Sequence, residues 1–156
     1  MGEPFPGRGH DHRACLEDAL AAARRRCRAR GARLTELRRA VLAVVWSSHR
    51  PLGAYAILEA LAARGQRVLA PSVYRALEFL AGHGLVHRIE SLNAYVGCAA
   101  PGHAGSGQFL LCERCGAVAE ISDPAIARAI ERGARATGFR AAGHTVEVRG
   151  VCPNCR

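Results

Sequence analysis

Seven cysteines stand in this 156-residue chain, and four of them form two Cys-x-x-Cys pairs, Cys112 with Cys115 and Cys152 with Cys155. Four thiolates in two such turns make a closed tetrahedral set that suits zinc, and a set with no open position is structural. The 36 residues between the pairs exceed the spacing of a short zinc ribbon, and an intervening helix and returning strand account for the excess. A redox dithiol needs its pair at a helix N-terminus after a strand, where a thiol pKa is lowered. Here the first pair lies between two expected strands and the second is followed only by Arg156, so the spacing points to metal.

A second set of donors is spread more widely: His87, Cys98, His103 and Glu120. Two imidazoles, one thiolate and one carboxylate could close another four-coordinate site. Surface histidines, a small buried hydrophobe and a solvated acid would give the same letters, and on spacing alone that plainer reading is the stronger. Cys15 and Cys27 fall within a helical stretch, where a free cysteine serves as a small hydrophobe. His49 and His83 follow helix ends, whose dipole is reason enough for an imidazole. Enzyme motifs are missing. A nucleobase deaminase pairs H-x-E with P-C-x-x-C, but Pro153 lies inside the cysteine pair and no H-x-E occurs. Nor is there an H-E-x-x-H, a P-loop or a G-x-S-x-G.

These donors must be positioned by a chain that divides in two. "CLEDALAAARRRCRAR" (15–30) is rich in helix formers and ends at Gly31, and Thr35 caps a second helix in "TELRRAVLAVVWSSH". "GAYAILEALAARG" repeats Ala54, Ile57, Leu58 and Leu61 at helical spacing. After an extended "RVLAP", a fourth helix in "SVYRALEFLAGHG" gathers Val73, Leu77 and Leu80 on one face and leaves Tyr74, Arg75 and Glu78 outward. Residues 85–90 and 94–98 around "SLN" predict a β-hairpin. Helices ending in such a hairpin make a winged helix-turn-helix, whose last helix enters the DNA major groove. Arg75 is the candidate for a guanine contact, with Tyr74 beside it. Tyr55 either touches DNA or packs partly into the core.

"AAPGHAGSG" (99–107) is a linker by composition. Beyond it, strands are expected at 108–111 and 117–122, then a helix opening on Asp123 and Pro124 and ending at Gly138, then a strand in "HTVEVRGV". The fold class expected is α+β, divided as a mobile tail (1–13), a winged-helix DNA-binding domain (14–98), the linker (99–107) and a small α/β domain (108–156).

All 22 basic residues are Arg, and the net charge is +9. Residues 1–97 hold 15 Arg against 8 acids, so this part should face a polyanion. No apolar run approaches membrane-spanning length and no export signal precedes the first helix, so a soluble, cytoplasmic protein with no membrane partner is expected.

Taken in order, "ARLTELRRAVL", "GAYAILEAL", "PSVYRALEFLAGHGLVHRIESLNAYVGC", "LLCERCGAVAE" and "HTVEVRGVCPNC" resemble the ferric uptake regulator family, in its zinc uptake regulator branch. The resemblance implies a homodimer in which the second domain dimerises, a metal-dependent repressor of zinc-uptake genes acting on double-stranded operator DNA, with no small-molecule substrate. It implies two zinc ions per subunit: a structural one on Cys112, Cys115, Cys152 and Cys155, and a sensory one on His87, Cys98, His103 and Glu120. Iron-type members carry a His-rich run with an acid before the first cysteine pair, where this chain has "GHAGSGQF". Their subsidiary site is therefore incomplete, although His144 matches one of its ligands. Glu36 replaces the Pro common after "RLT", and sulfur at Cys98 favours zinc over iron or manganese.

Overall fold

The computed structural model describes Phe5 and residues 11–101 and 106–156. The first helix, α1 (His12–Ala29), starts three residues before the expected position because Asp11 accepts the N–H of Arg13 at 2.9 Å and caps it. Helix α2 (Glu36–Val45) is capped by Thr35 and stops short of the expected "WSSH", where Ser47 turns its hydroxyl back onto the Val44 carbonyl. Helix α3 (Ala54–Ala63) follows. Helix α4 (Ala70–Gly82) takes in Ala70 and Pro71, which the sequence suggested were extended. In a first turn proline's missing N–H has no partner to lose and its φ is already helical.

The apolar faces behave as their periodicity requires. Val73, Leu77 and Leu80 of α4 are fully buried, packed with Val41, Leu42, Val44 and Val45 of α2 and Ile57 and Leu61 of α3. Each such side chain contributes about 1.5–3 kcal/mol on burial, which fixes α4 on the bundle with Tyr74 and Arg75 facing out.

The wing is the antiparallel pair β1 (Val86–Ile89) and β2 (Ala94–Gly97), joined through a tight turn at Glu90–Leu92 with Asn93 left-handed at φ 45°. Leu52 adds an isolated bridge to Tyr95, with both backbone bonds at 2.9–3.0 Å. This completes a winged helix-turn-helix.

The second half is a three-stranded sheet in the order β4-β3-β5. Strand β3 (Ser106–Cys112) begins two residues before the expected start; it pairs antiparallel with β4 (Val118–Ile121) and parallel with β5 (His144–Gly150). Helix α5 (Pro124–Ala136) makes the crossover between β4 and β5. Asp123 caps α5, and the buried amide of Gln108 holds that residue by both its backbone N–H and its carbonyl. No residue of α5 is buried in the single chain. Wing and sheet meet through Ile89 and Val96 packed on Phe109 and Leu111.

No helix among the described residues is long and apolar enough to cross a membrane.

Candidate metal centres

The two cysteine knuckles come together because β3 and β5 are parallel neighbours whose ends carry them: Cys112 closes β3 and Cys152 lies just past β5. All four sulfurs lie within 4.8 Å of one another, and those of Cys115 and Cys152 are 3.8 Å apart. With Zn–S about 2.3 Å, a tetrahedral site needs its sulfurs about 3.8 Å apart, so the donors fit zinc with little adjustment. The loops are knuckles in the strict backbone sense: Gly116 N–H returns to the Cys112 carbonyl, and Cys155 N–H to that of Cys152. Backbone N–H groups of Cys115 and Cys152 point at the Cys112 sulfur and lower its pKa, favouring the thiolate a metal requires. Hydrogen bonding among the crowded thiols, Cys152 first, raises that of Cys155, as expected where four like charges cannot all form without a cation. Phe5 belongs to the same buried apolar cluster as Cys112, Ala119 and Cys152.

A second cluster joins the halves. His87 of β1, Cys98 just after β2 and Glu120 of β4 offer donor atoms within 4.8 Å of one another. His87 Nε2 lies 3.0 Å from Glu120 Oε1, both side chains being little exposed, and the imidazole is set edge-on against Phe109. Burial, and next the nearby Glu120 charge, push the Cys98 thiol up to about 12, so a metal bound there must displace a proton. The strand registers explain the convergence. His87 faces Val96 across the wing, Glu120 faces Phe109 across the sheet, and the Ile89/Val96/Phe109/Leu111 contact lays one hairpin on the other. His103, the fourth expected donor, and His10 of the tail lie outside the described residues.

This cluster opens onto a cleft of about 1340 Å3 between α1 and the sheet, lined by Cys15, Trp46, His49, Cys98 and Glu120 among others. Trp46 packs so closely on Gly97 that a Cβ there would lie 2.2 Å from its ring, so only glycine fits beside Cys98. His144, by contrast, lies 3.3 Å from the Ser106 hydroxyl and, among the described residues, joins neither cluster.

On the outer face, Tyr74 is 45% exposed and Tyr55 67%, so the core does not hold Tyr55. Arg75 is exposed and donates to the Ser72 hydroxyl at 3.3 Å. Sequence reasoning left the N-terminal arginines undivided, and the structure divides them. Arg26 and Arg30 donate to the carbonyls of His83 and Gly82, satisfying the C-terminal end of α4. The signal was present in the spacing: 23, 26, 27 and 30 form one helical face, and Ala23 and Cys27 on it are buried. Replacing Arg26 by Ala should therefore cost about 1–2 kcal/mol in urea unfolding. It should leave the salt dependence of any DNA binding unchanged, since this guanidinium is occupied within the fold.

A winged helix-turn-helix, joined to a cysteine-clamped sheet by a second donor cluster at the seam, has the architecture of a metalloregulator. The profile of the ferric uptake regulator family matches residues 29–149, and the chain belongs to that family. Its members are transcriptional regulators and not enzymes. The zinc uptake regulation protein of Escherichia coli K12 is 34% identical over 142 residues, covering 89% of this chain and 82% of that one. Among solved structures, a zinc uptake regulator complexed with zinc and DNA superposes with TM-score 0.83 at 32% identity, over 88% of this chain and 93% of that chain. The holo form of XcZur gives 0.80 at 38% identity over 86% and 94%, and its apo form 0.51 at 36% identity over 90% and 97%.

Proposed function

We propose that this chain is a zinc-responsive repressor, binding operator DNA as a homodimer when its second donor cluster is filled and silencing zinc-uptake genes. The observation that carries the reading is the origin of the donors: His87 and Cys98 belong to the wing, Glu120 to the sheet. Any change of angle between the halves separates them, so holding them together fixes the angle of the DNA-reading head. Zinc, one ion here and one among the four cysteines of each subunit, would supply the positive charge that lets imidazole, thiolate and carboxylate converge.

His103 is the proposed fourth donor. Five residues beyond Cys98, a span of at most about 17 Å, are ample for it to fold back. The nitrogen, sulfur and oxygen set favours zinc over iron or manganese. The superpositions support the same reading: at nearly equal identity, the chain follows the holo arrangement of XcZur far better than the apo one.

A dimer is supported by what the single chain leaves uncovered. Helix α5 has no buried residue although Ile126 and Ile130 line one side, β5 is an open sheet edge, and Phe139 and Val148 are at least half exposed. Two heads held at one separation bind two half-sites together, and apparent affinity follows the fraction of dimers so held.

The test is DNA binding by the full chain against buffered free zinc, using duplexes selected from a random pool by the zinc-loaded protein. Binding should rise with zinc and respond weakly to iron and manganese. A stronger response to either of those metals assigns the sensor to it, and tight specific binding at vanishing free metal overturns the sensor reading. In the same assay Arg75→Ala should reduce discrimination between selected and random DNA about tenfold or more, the worth of one bidentate guanine contact. Undiminished discrimination removes Arg75 from base recognition.

A further inference from the structure

The wing is also held to the sheet at a point away from the donor cluster. Glu147 lies in the middle of β5, opposite Phe109 of β3. Its carboxylate reaches across to the wing tip, where Oε1 accepts the backbone N–H of Glu90 at 2.7 Å and Oε2 that of Ser91 at 3.3 Å. These are the first two N–H groups of the turn Glu90–Leu92, which as a helical start leaves them without partners of its own. Residue 90 continues the strand that carries His87, so this clamp and the donor cluster grip one strand about 10 Å apart. Between them lies the Ile89, Val96, Phe109 and Leu111 contact.

We propose that Glu147 is a positioning residue: its grip on the wing tip contributes to the arrangement that DNA binding requires, and so sets how much zinc the sensor needs. The inference rests on the function proposed above. The clamp is made entirely of the chain's own atoms and acts whether or not the donors are filled. It raises the fraction of molecules already in the competent arrangement, and apparent zinc affinity scales with that fraction. Without it, more zinc is needed to reach the same occupancy of the competent state. At saturation the donors alone restore that state.

The experiment is the zinc-buffered DNA titration on the full chain, comparing the parent with Glu147→Ala and Glu147→Gln. Two charge-assisted but partly solvated bonds predict that Glu147→Ala raises the free zinc at half-maximal DNA binding about fivefold to tenfold, while affinity at saturating zinc stays within about twofold. Glu147→Gln keeps the shape and one acceptor oxygen but turns an amide N–H toward the second donor, and should shift the half-point about threefold. It carries the same comparison should the alanine variant not fold. A half-point unchanged from the parent in both variants overturns the inference and leaves the proposed function standing. So does an affinity loss equal at all zinc levels, the mark of a merely structural contact. A parent whose DNA binding ignores free zinc overturns both.

Discussion

Cys152→Ser should leave the second half of the chain without stable structure, with one zinc fewer per subunit than the parent, while the winged helix still melts cooperatively. The size of the effect follows from what else holds that half together. Its sheet has three strands, its helix has no fully buried residue within the subunit, and apart from the contact with the wing its apolar cluster consists of Phe5, Leu110, Ala117, Ala119 and the cysteines themselves. Structural zinc in small domains is worth about 10 kcal/mol or more, comparable to the entire stability of an ordinary domain. A serine hydroxyl is a poor replacement for a thiolate donor. The helical bundle has its own core from Ala23 to Val86 and does not draw on the cluster. Thermal unfolding followed by circular dichroism, with zinc content by elemental analysis, reads both parts. Cys15→Ser is the control: that thiol is only partly buried and outside both clusters, and should leave melting and zinc content as in the parent. A parent-like melt and zinc content for Cys152→Ser would remove the four-cysteine cluster from structural duty.

What the sequence made legible was local or strongly spaced. Val73, Leu77 and Leu80 announced a buried face by period alone, Asp123 followed by Pro124 announced a helix start, and two Cys-x-x-Cys pairs announced a four-sulfur cluster that the parallel pairing of β3 and β5 brings together. Boundaries failed where a residue has two uses: Pro71 reads as a breaker until it is seen in a first turn, where it costs nothing. The second donor cluster could not be chosen from spacing, because His87 and Glu120 meet only when one hairpin is laid on another. Glu147 was invisible for the same reason. Its partners are backbone N–H groups 56 and 57 residues away, and backbone groups leave no letter in a sequence.

Cys98→Ala should reduce DNA affinity at saturating zinc by about 100-fold, toward the upper end of typical allosteric coupling, and lower bound zinc from two ions per subunit to one. The thiol is buried and held protonated by burial and by the Glu120 carboxylate, so in the metal-free chain it is a small neutral group whose removal disturbs packing little. Its contribution appears when the cluster is filled, because it is the donor placed where the chain leaves the wing. With alanine there, the remaining donors no longer hold the ion, the start of the linker is released, and the angle between head and sheet is less tightly fixed. Thermal unfolding should stay close to the parent's, which separates lost coupling from lost structure. Cys27→Ala provides the complementary control: that thiol is equally buried but packs in the helical core. Its loss should lower stability modestly and leave the zinc dependence of DNA binding intact. If instead Cys98→Ala binds DNA as the parent does at every zinc concentration, Cys98 is no part of the sensor, and its place at the seam is a packing contact beside histidine and acid.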